Sequence, residues 1–176
     1  MILIISLCAE KMSELEFVRP IEQIVGKNYF VKHYKSLTET DLKKADKIIL
    51  SGTSLKDFEY WNDFEKFLFL KNLKKPVLGI CAGMQILVRL FDGELSKIEK
   101  IEIGQTQIDF EKNFLGVSGK QKVYFLHKLG VRKIGKNFDV YAKSDKGIAA
   151  IKHKSKKIYG VLFHPEVYNR EIIENF

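Results

Sequence analysis

Residues 77–85 read Val77-Leu78-Gly79-Ile80-Cys81-Ala82-Gly83-Met84-Gln85. The first four are apolar or glycine and predict a short buried strand. A helix is predicted directly after them, because apolar residues then recur at the spacing i, i+3, i+4, i+7: Met84, Leu87, Val88 and Phe91. The pattern G-x-C-x-G at the junction is typical of a nucleophile elbow, a strained turn that exposes a reactive side chain between a strand and a helix.

Cys81 occupies the nucleophile position of this predicted elbow. At a helix N-terminus, free N–H groups and the helix dipole favour the thiolate form of a cysteine. Gly79 and Gly83 allow the strand and the helix to approach closely, and the N–H of Ala82 is placed to stabilise an oxyanion. A cysteine between a strand and a helix is more often structural, so a catalytic interpretation requires a base elsewhere in the chain.

The second informative segment is residues 159–167, Tyr-Gly-Val-Leu-Phe-His-Pro-Glu-Val. It predicts a buried strand that ends at His164, and Pro165 keeps His164 extended. In an extended chain, residues two apart project to the same side, so Glu166 can orient the His164 ring. His164 can then accept a proton from the Cys81 thiol, which predicts a Cys-His-carboxylate arrangement.

Strand and helix signals alternate through the first half of the chain. This order predicts an α/β fold with a doubly wound, mostly parallel open sheet and helices on both faces. Ser13 and Glu16 have the spacing of a capping box, and Thr38 is a candidate N-cap. The predicted strands are Met1–Leu7, Tyr29–Tyr34, Lys47–Leu50 and Pro76–Ile80, and the predicted helices are Ser13–Val25, Thr38–Lys44 and Asp57–Leu70.

After Gly93 the pattern changes to short β-like runs separated by turn signals. Such runs predict antiparallel strands added to the edge of the sheet or folded over it. A last short helix is predicted over residues 169–176. With no repeat, linker or low-complexity tract, residues 1–176 are interpreted as a single domain. The five runs are Ile98–Phe110, Lys122–His127, Asn137–Lys143, Gly147–Lys152 and Lys157–Phe163.

The composition is that of a folded globular chain, with 176 residues, 45% hydrophobic and 30% charged. Thirty basic and 22 acidic residues give a net charge of +8, but only four of the basic residues are Arg. Nucleic-acid readers rely on Arg, so no nucleic-acid partner is predicted. The basic turn Lys152–Lys157 is interpreted as a solvated hairpin, with docking to an acidic partner as the alternative.

No apolar run approaches the roughly 20 residues of a membrane span, and residues 1–7 lack the features of a signal peptide. Two cysteines cannot build a disulfide framework, which favours a reducing compartment and a cytoplasmic location. Cys8 is interpreted as an unreactive small hydrophobe, and His33 and His153 as surface residues. No metal-ligand spacing is present, so no metal site is predicted.

Both segments match one known family. GICAGMQ resembles the G-x-C-x-G-x-Q elbow of the class I (triad-type) glutamine amidotransferases, and YGVLFHPEV is similar to their Y-G-V-Q-F-H-P-E-V segment. The resemblance extends over nearly the whole chain and implies the flavodoxin-like fold of that family. Within the family it is strongest to the glutaminases that form a separate subunit of archaeal-type GMP synthases.

The resemblance implies hydrolysis of L-glutamine through a cysteinyl thioester. Cys81 would be the nucleophile, His164 the general base and then acid, and Glu166 the group that orients His164. Ammonia would pass to a separate ATP-using synthetase subunit, since this chain has no phosphate-binding G-x-x-x-x-G-K-[ST] loop. No cofactor is implied. The remaining implied site residues are the oxyanion-hole residues Gly52 and Ala82 and the substrate-binding residues Gln85, Thr53 and His127.

The chain departs from the family pattern around the triad. Thr53 replaces the second glycine of the S-G-G-P turn, and Leu126 replaces the serine of a Ser-His pair. Where the family has the motif D-N-x-G-x-Q-Y near its first strand, this chain has Ser6–Glu10. Leu162 replaces the Gln of the family's Y-G-V-Q-F-H-P-E-V segment, and the segment after Glu166 is shorter than in the family. Two alternatives therefore stay open: a stand-alone thiol hydrolase of another γ-glutamyl or amide compound, and a non-catalytic regulatory subunit that kept the fold.

Overall fold

A computed structural model describes all residues of the chain, 1–176. Nine strands form one sheet in the spatial order β2-β1-β3-β4-β9-β8-β7-β5-β6. The strands are β1 (Ile2–Ser6), β2 (Tyr29–His33), β3 (Lys47–Leu50), β4 (Val77–Ile80), β5 (Glu94–Phe114), β6 (Val117–Lys133), β7 (Phe138–Ser144), β8 (Gly147–His153) and β9 (Ile158–Val161).

The sheet has a parallel half and an antiparallel half. Strands β2, β1, β3, β4 and β9 run parallel, and β8, β7, β5 and β6 extend the sheet in antiparallel pairs. This confirms the predicted parallel sheet with added antiparallel strands. The prediction that groups residues 157–163 with the antiparallel runs is correct for the pairing of β9 with β8. It is wrong for the other edge of β9, which pairs in parallel with β4, with Val77 opposite Ile158. Strands in the parallel part of a helix-covered sheet are buried on both faces, which explains the continuous apolar sequence of β9.

The helices form two separate groups that agree with helices on both faces of the sheet. Helices α2, α6 and α7 contact one another, whereas α5 packs on β3, β4 and β9 and against a 3-10 helix, Phe64–Lys71. The α-helices are α1 (Glu14–Phe17), α2 (Arg19–Val25), α3 (Glu39–Lys44), α4 (Glu59–Asn62), α5 (Ala82–Leu90), α6 (Pro165–Tyr168) and α7 (Arg170–Glu174). None of them is both long enough and apolar enough to cross a bilayer.

Two helix predictions are corrected. The predicted helix 13–25 is divided at Val18 into α1 and α2, and Ser13 makes no side-chain capping hydrogen bond, so the capping box there is wrong. The capping box lies at α3 instead, where the Thr38 hydroxyl accepts the Asp41 N–H and the Asp41 carboxylate accepts the Thr38 N–H. The prediction of Thr38 as an N-cap is confirmed.

The predicted helix over residues 57–70 is also wrong. It is divided into the single turn α4 and the 3-10 helix Phe64–Lys71. Phe67 and Leu70 are buried, whereas Leu68 is 49% exposed. Burial at a spacing of three residues suits the 3-10 helix, so the apolar side chains of this segment do not form one α-helical face.

The antiparallel half is dominated by a long hairpin that the sequence signals do not predict at full length. Strands β5 and β6 span 21 and 17 residues, against the shorter predicted runs 98–110 and 122–127. Register shifts interrupt their pairing, for example between Lys97 and Glu102. Such irregularities disturb the period-two alternation on which strand prediction rests.

Candidate active site

Cys81 lies at the junction between β4 and α5 in a strained backbone conformation. Its φ of 49° and ψ of −103° are rare for a residue with a side chain, and its N–H donates to the Val161 carbonyl at 2.8 Å. Strain of this kind concentrates at functional sites, where the surrounding structure holds it in place. The predicted elbow geometry is therefore present at Cys81.

The two glycines of the elbow are required by close packing. A Cβ at Gly79 would lie 2.6 Å from the Gly83 carbonyl carbon, and a Cβ at Gly83 would lie 2.6 Å from Cβ of Leu50. Neither position has room for a side chain. Helix α5 thus rests directly on β3 and β4, as predicted for Gly79 and Gly83.

His164 and Glu166 form a buried pair at the start of α6. The prediction that the strand runs to His164 is wrong, because β9 ends at Val161 and Glu166 lies in α6, but His164 itself is extended as predicted. Nδ1 of His164 lies 2.7 Å from Oε1 of Glu166, and both side chains are almost fully buried. Burial by itself lowers the pKa of His164, but the charge of Glu166 and the nearby Cys81 more than offset it, so the pKa lies well above 6.5. Glu166 thus holds the ring with Nδ1 toward the carboxylate and leaves Nε2 free.

The Cys81 thiol is close to His164 but is hydrogen-bonded elsewhere. Its Sγ donates to the Leu126 carbonyl at 3.5 Å, and Nε2 of His164 is buried with no hydrogen-bond partner. A short rotation of the thiol would bring its proton to Nε2. Catalytic hydrogen bonds of this kind are often loose until substrate is bound.

Beside Cys81 lies a small cavity of about 20 Å³. Four other residues predicted for the site line it with Cys81, namely Thr53, Ala82, Gln85 and His127. His164 and Glu166 lie in the adjacent cavity, of about 120 Å³, and Leu126 borders both. The tertiary structure therefore brings together predicted residues from four separate parts of the chain.

Gly52 contacts His164 and does not line the Cys81 cavity. A Cβ at Gly52 would lie 2.6 Å from Cε1 of His164, so a side chain at position 52 would collide with the imidazole where it now lies. The Gly52 carbonyl accepts a hydrogen bond from the Ser51 hydroxyl at 2.7 Å. The oxyanion role predicted for Gly52 stays a prediction.

His127 is buried and faces an acidic partner that the sequence analysis did not single out. Its Nε2 lies 2.8 Å from Oε2 of Glu102, which stands opposite it on β5. Neither ring nitrogen of His127 makes a hydrogen bond within the protein, so the contact with Glu102 is a close approach without hydrogen-bond geometry. Only the cross-strand register of the long hairpin reveals this pair, and that register was not predictable.

The sequence analysis missed several residues of the cavity wall, among them Asp57, Tyr60 and Lys128. The Tyr60 hydroxyl donates to Oε1 of Gln85 at 3.3 Å, and the Gln85 amide donates to the Leu129 carbonyl at 3.0 Å. Tyr60 therefore helps to fix the orientation of Gln85. Asp57 and Tyr60 were missed because the sequence analysis placed both in one helix over residues 57–70 and attached no functional signal to it.

The remaining cysteine and histidines have structural surroundings. Burial raises the pKa of Cys8 to about 11, so its thiol stays protonated near neutral pH, in line with the prediction that it is unreactive. His153 is buried between Phe91 and Phe138, and its Nδ1 accepts two backbone N–H groups of the following turn. The surface assignment of His153 is wrong. His33 is half-buried, with Nε2 at 3.0 Å from the Cys8 carbonyl.

Comparison with known proteins agrees with this geometry. The family model of class-I glutamine amidotransferases matches residues 18–175. The chain belongs to the class-I glutamine amidotransferase family. This amidotransferase is 41% identical over 166 residues to one of the subunits of the glutamine-hydrolysing GMP synthase of Methanosphaera stadtmanae, covering 90% of this chain and 87% of that protein.

Longer relatives also match. The amidotransferase is 37% identical to the GMP synthase of Borreliella burgdorferi strain N40 over 90% of its own length, but it spans only 32% of that protein. Among solved structures, a Thermoplasma acidophilum protein described provisionally as one subunit of a GMP synthase superposes with a TM-score of 0.86 at 21% identity, over 99% of this chain and 90% of the other. The predicted fold and family are thereby confirmed.

Proposed function

We propose that this amidotransferase is the glutaminase subunit of a GMP synthase. It would hydrolyse L-glutamine to glutamate and ammonia, and ammonia would pass to a separate ATP-using synthetase subunit. The observation that carries the proposal is the strained Cys81 elbow beside the buried His164–Glu166 pair. Similarity to a protein named as one subunit of a GMP synthase, over most of that protein's length, favours this function over the stand-alone hydrolase and the regulatory role.

The proposed reaction begins at Cys81. When the His164 ring is neutral, the Cys81 sulfur attacks the side-chain amide carbon of glutamine while Nε2 of His164 accepts the thiol proton. His164 then donates that proton to the leaving nitrogen, so that the C–N bond breaks, ammonia departs and the γ-glutamyl thioester remains. A water molecule, deprotonated by His164, then attacks the thioester carbon. The C–S bond breaks, glutamate is released, and His164 returns the proton to the Cys81 sulfur. Glu166 keeps His164 oriented through both steps, acting as the orienting member of the Cys-His-Glu triad.

The oxyanion of each tetrahedral intermediate needs N–H donors. Ala82 supplies one at the start of α5. For the second, the geometry of the 51–53 turn favours Thr53 over Gly52. The Gly52 carbonyl points toward the Ser51 hydroxyl, and the C=O and N–H of one planar trans peptide point in opposite directions, so the Thr53 N–H points away from Ser51. Thr53 also lines the Cys81 cavity.

The cavity beside Cys81 is too small for glutamine as it stands. A volume of about 20 Å³ suits about one water molecule. Glutamine binding therefore requires the cavity lining to open, and we propose that docking of the synthetase subunit opens it.

The single sheet and the single apolar core support treating residues 1–176 as one domain, and two unpaired cysteines support a cytoplasmic location.

The proposal is tested by ammonia release from L-glutamine, measured with and without the synthetase subunit. Cys81→Ala should abolish ammonia release and leave the melting temperature close to that of the wild type, because alanine occupies the same elbow with a smaller side chain. Cys8→Ala is the matched control and should keep its activity, since the Cys8 thiol stays protonated. Full activity in Cys81→Ala would refute the nucleophile assignment.

A further inference from the structure

Two charged side chains line the cavity beside Cys81, and neither forms an ion pair within the protein. Asp57 comes from the loop before α4, and Lys128 comes from β6. Asp57 is only 6% exposed. The cavity thus offers one negative and one positive group from two different parts of the fold.

The Asp57 carboxylate accepts hydrogen bonds at only one of its two oxygen atoms. Its Oδ2 accepts the Thr53 hydroxyl at 2.6 Å and the Ala9 N–H at 3.1 Å. Its Oδ1 accepts no hydrogen bond from the protein. Burying a carboxylate without a cation is unfavourable, so a cationic group entering the cavity would complete the surroundings of Asp57.

The Lys128 ammonium lies across the face of the Phe58 ring, 3.8 Å from its centroid. This cation–π contact orients the ammonium at the cavity without neutralising its charge. Phe58 directly follows Asp57 in the chain and lines the same cavity. Both charged residues and Phe58 therefore belong to the wall of one cavity.

We propose that Asp57 and Lys128 recognise the amino-acid end of the substrate, with Asp57 binding the α-ammonium group and Lys128 the α-carboxylate. The inference rests on the proposed function and adds to it the residues that select an α-amino acid over a simple amide. It also accounts for Leu126, which removes a polar side chain where the family has serine. Charged contacts from Asp57 and Lys128 would take over the recognition of glutamine.

The experiment compares three amides: L-glutamine, glutaramate, which lacks the α-ammonium group, and 4-aminobutanamide, which lacks the α-carboxylate. In Asp57→Asn, the KM for L-glutamine should rise by about ten- to a hundredfold, as for a lost charge-assisted hydrogen bond, with kcat little changed. The preference for glutamine over glutaramate should largely disappear. Lys128→Met should in the same way lose the preference over 4-aminobutanamide.

The control variant is Glu59→Gln, which removes a negative charge from α4 where the carboxylate faces Lys35 and not the cavity. It should keep the wild-type KM and substrate preference. The alkylation rate of Cys81 by iodoacetamide, a reagent without an amino-acid end, should be the same in Asp57→Asn and in the wild type. That result separates lost recognition from a damaged elbow.

Calorimetric binding of L-glutamine to Cys81→Ala supplies a readout that does not depend on turnover. Adding Asp57→Asn to that variant should weaken binding by the same factor as the rise in KM. Equal binding, or an unchanged preference over glutaramate, would overturn the inference and leave the proposed function standing. If the wild type neither binds nor hydrolyses L-glutamine in the presence of its synthetase subunit, the proposed function fails and the inference fails with it.

Discussion

Replacing Gly52 by alanine should displace His164 without altering any residue of the triad. The new Cβ would lie 2.6 Å from Cε1 and 3.3 Å from Nδ1 of His164, whereas ordinary contacts begin near 3.4 Å. The imidazole must therefore retreat by about 0.8 Å. The φ of Gly52 lies outside the left-handed region, so alanine fits the backbone and the effect comes from the side-chain contact.

A displacement of about 1 Å at a reacting group can lower a rate by about a hundredfold. We expect kcat for ammonia release in Gly52→Ala to fall by a factor on the order of 30 to 100, because Nε2 moves away from the Cys81 proton. Steady-state ammonia release measures the loss. The NMR titration of His164 reports the ring's surroundings and should change with it, since the contact with Glu166 is disturbed as well.

The matched control is Gly130→Ala, a buried glycine of β6 that does not line the Cys81 cavity. Its Cβ would lie 3.1 Å from Cγ2 of Ile98, so it also crowds a neighbour, but a side-chain methyl that can yield. This variant should keep kcat even if its stability falls. Wild-type kcat and an unchanged His164 titration in Gly52→Ala would refute the argument that Gly52 positions His164.

Two other variants test the pair at the start of α6 and the capping of α3. Because the folded-state pKa of His164 is raised, its ion pair with Glu166 stabilises the fold fully below the unfolded pKa of about 6.5 and is lost as pH rises through the raised value. Glu166→Gln should therefore lose more stability at about pH 6 than at about pH 9, measured by urea unfolding; an equal loss would contradict the assignment. Thr38→Ala should cost about 1 kcal/mol in the same assay, whereas Ser13→Ala should be nearly neutral, and the reverse order would refute the observed cap.

Local sequence signals were enough to predict the elbow at Cys81, the pairing of His164 with Glu166 and the parallel half of the sheet. The elbow at Cys81 is encoded by its neighbours, since Gly79 and Gly83 are the small residues that allow α5 to rest on β3 and β4. The His164–Glu166 pair joins residues two apart where an extended His164 leads into α6, so its closeness in sequence was enough to predict the contact, although the strand predicted to carry it ends earlier. Both depend on contacts close in sequence or on glycine positions that a single chain displays.

The cavity wall depended on contacts between distant segments. Glu102 lies opposite His127 because of the register in which β5 and β6 pair. That register is interrupted by shifts that the local sequence pattern does not predict. Asp57 and Tyr60 reach the cavity because residues 57–70 divide into α4 and a 3-10 helix, a choice made by packing of Phe67 and Leu70 in the core.

The sequence by itself thus determined the family, the elbow at Cys81 and the proximity of His164 to Glu166, because short-range backbone rules set these features. The tertiary structure decided which side chains surround the cavity beside Cys81. Asp57 and Lys128 are 71 positions apart and carry no shared motif. They meet at one cavity because β6 folds back over the loop that precedes α4, and the burial of apolar surface across the whole sheet determines that position.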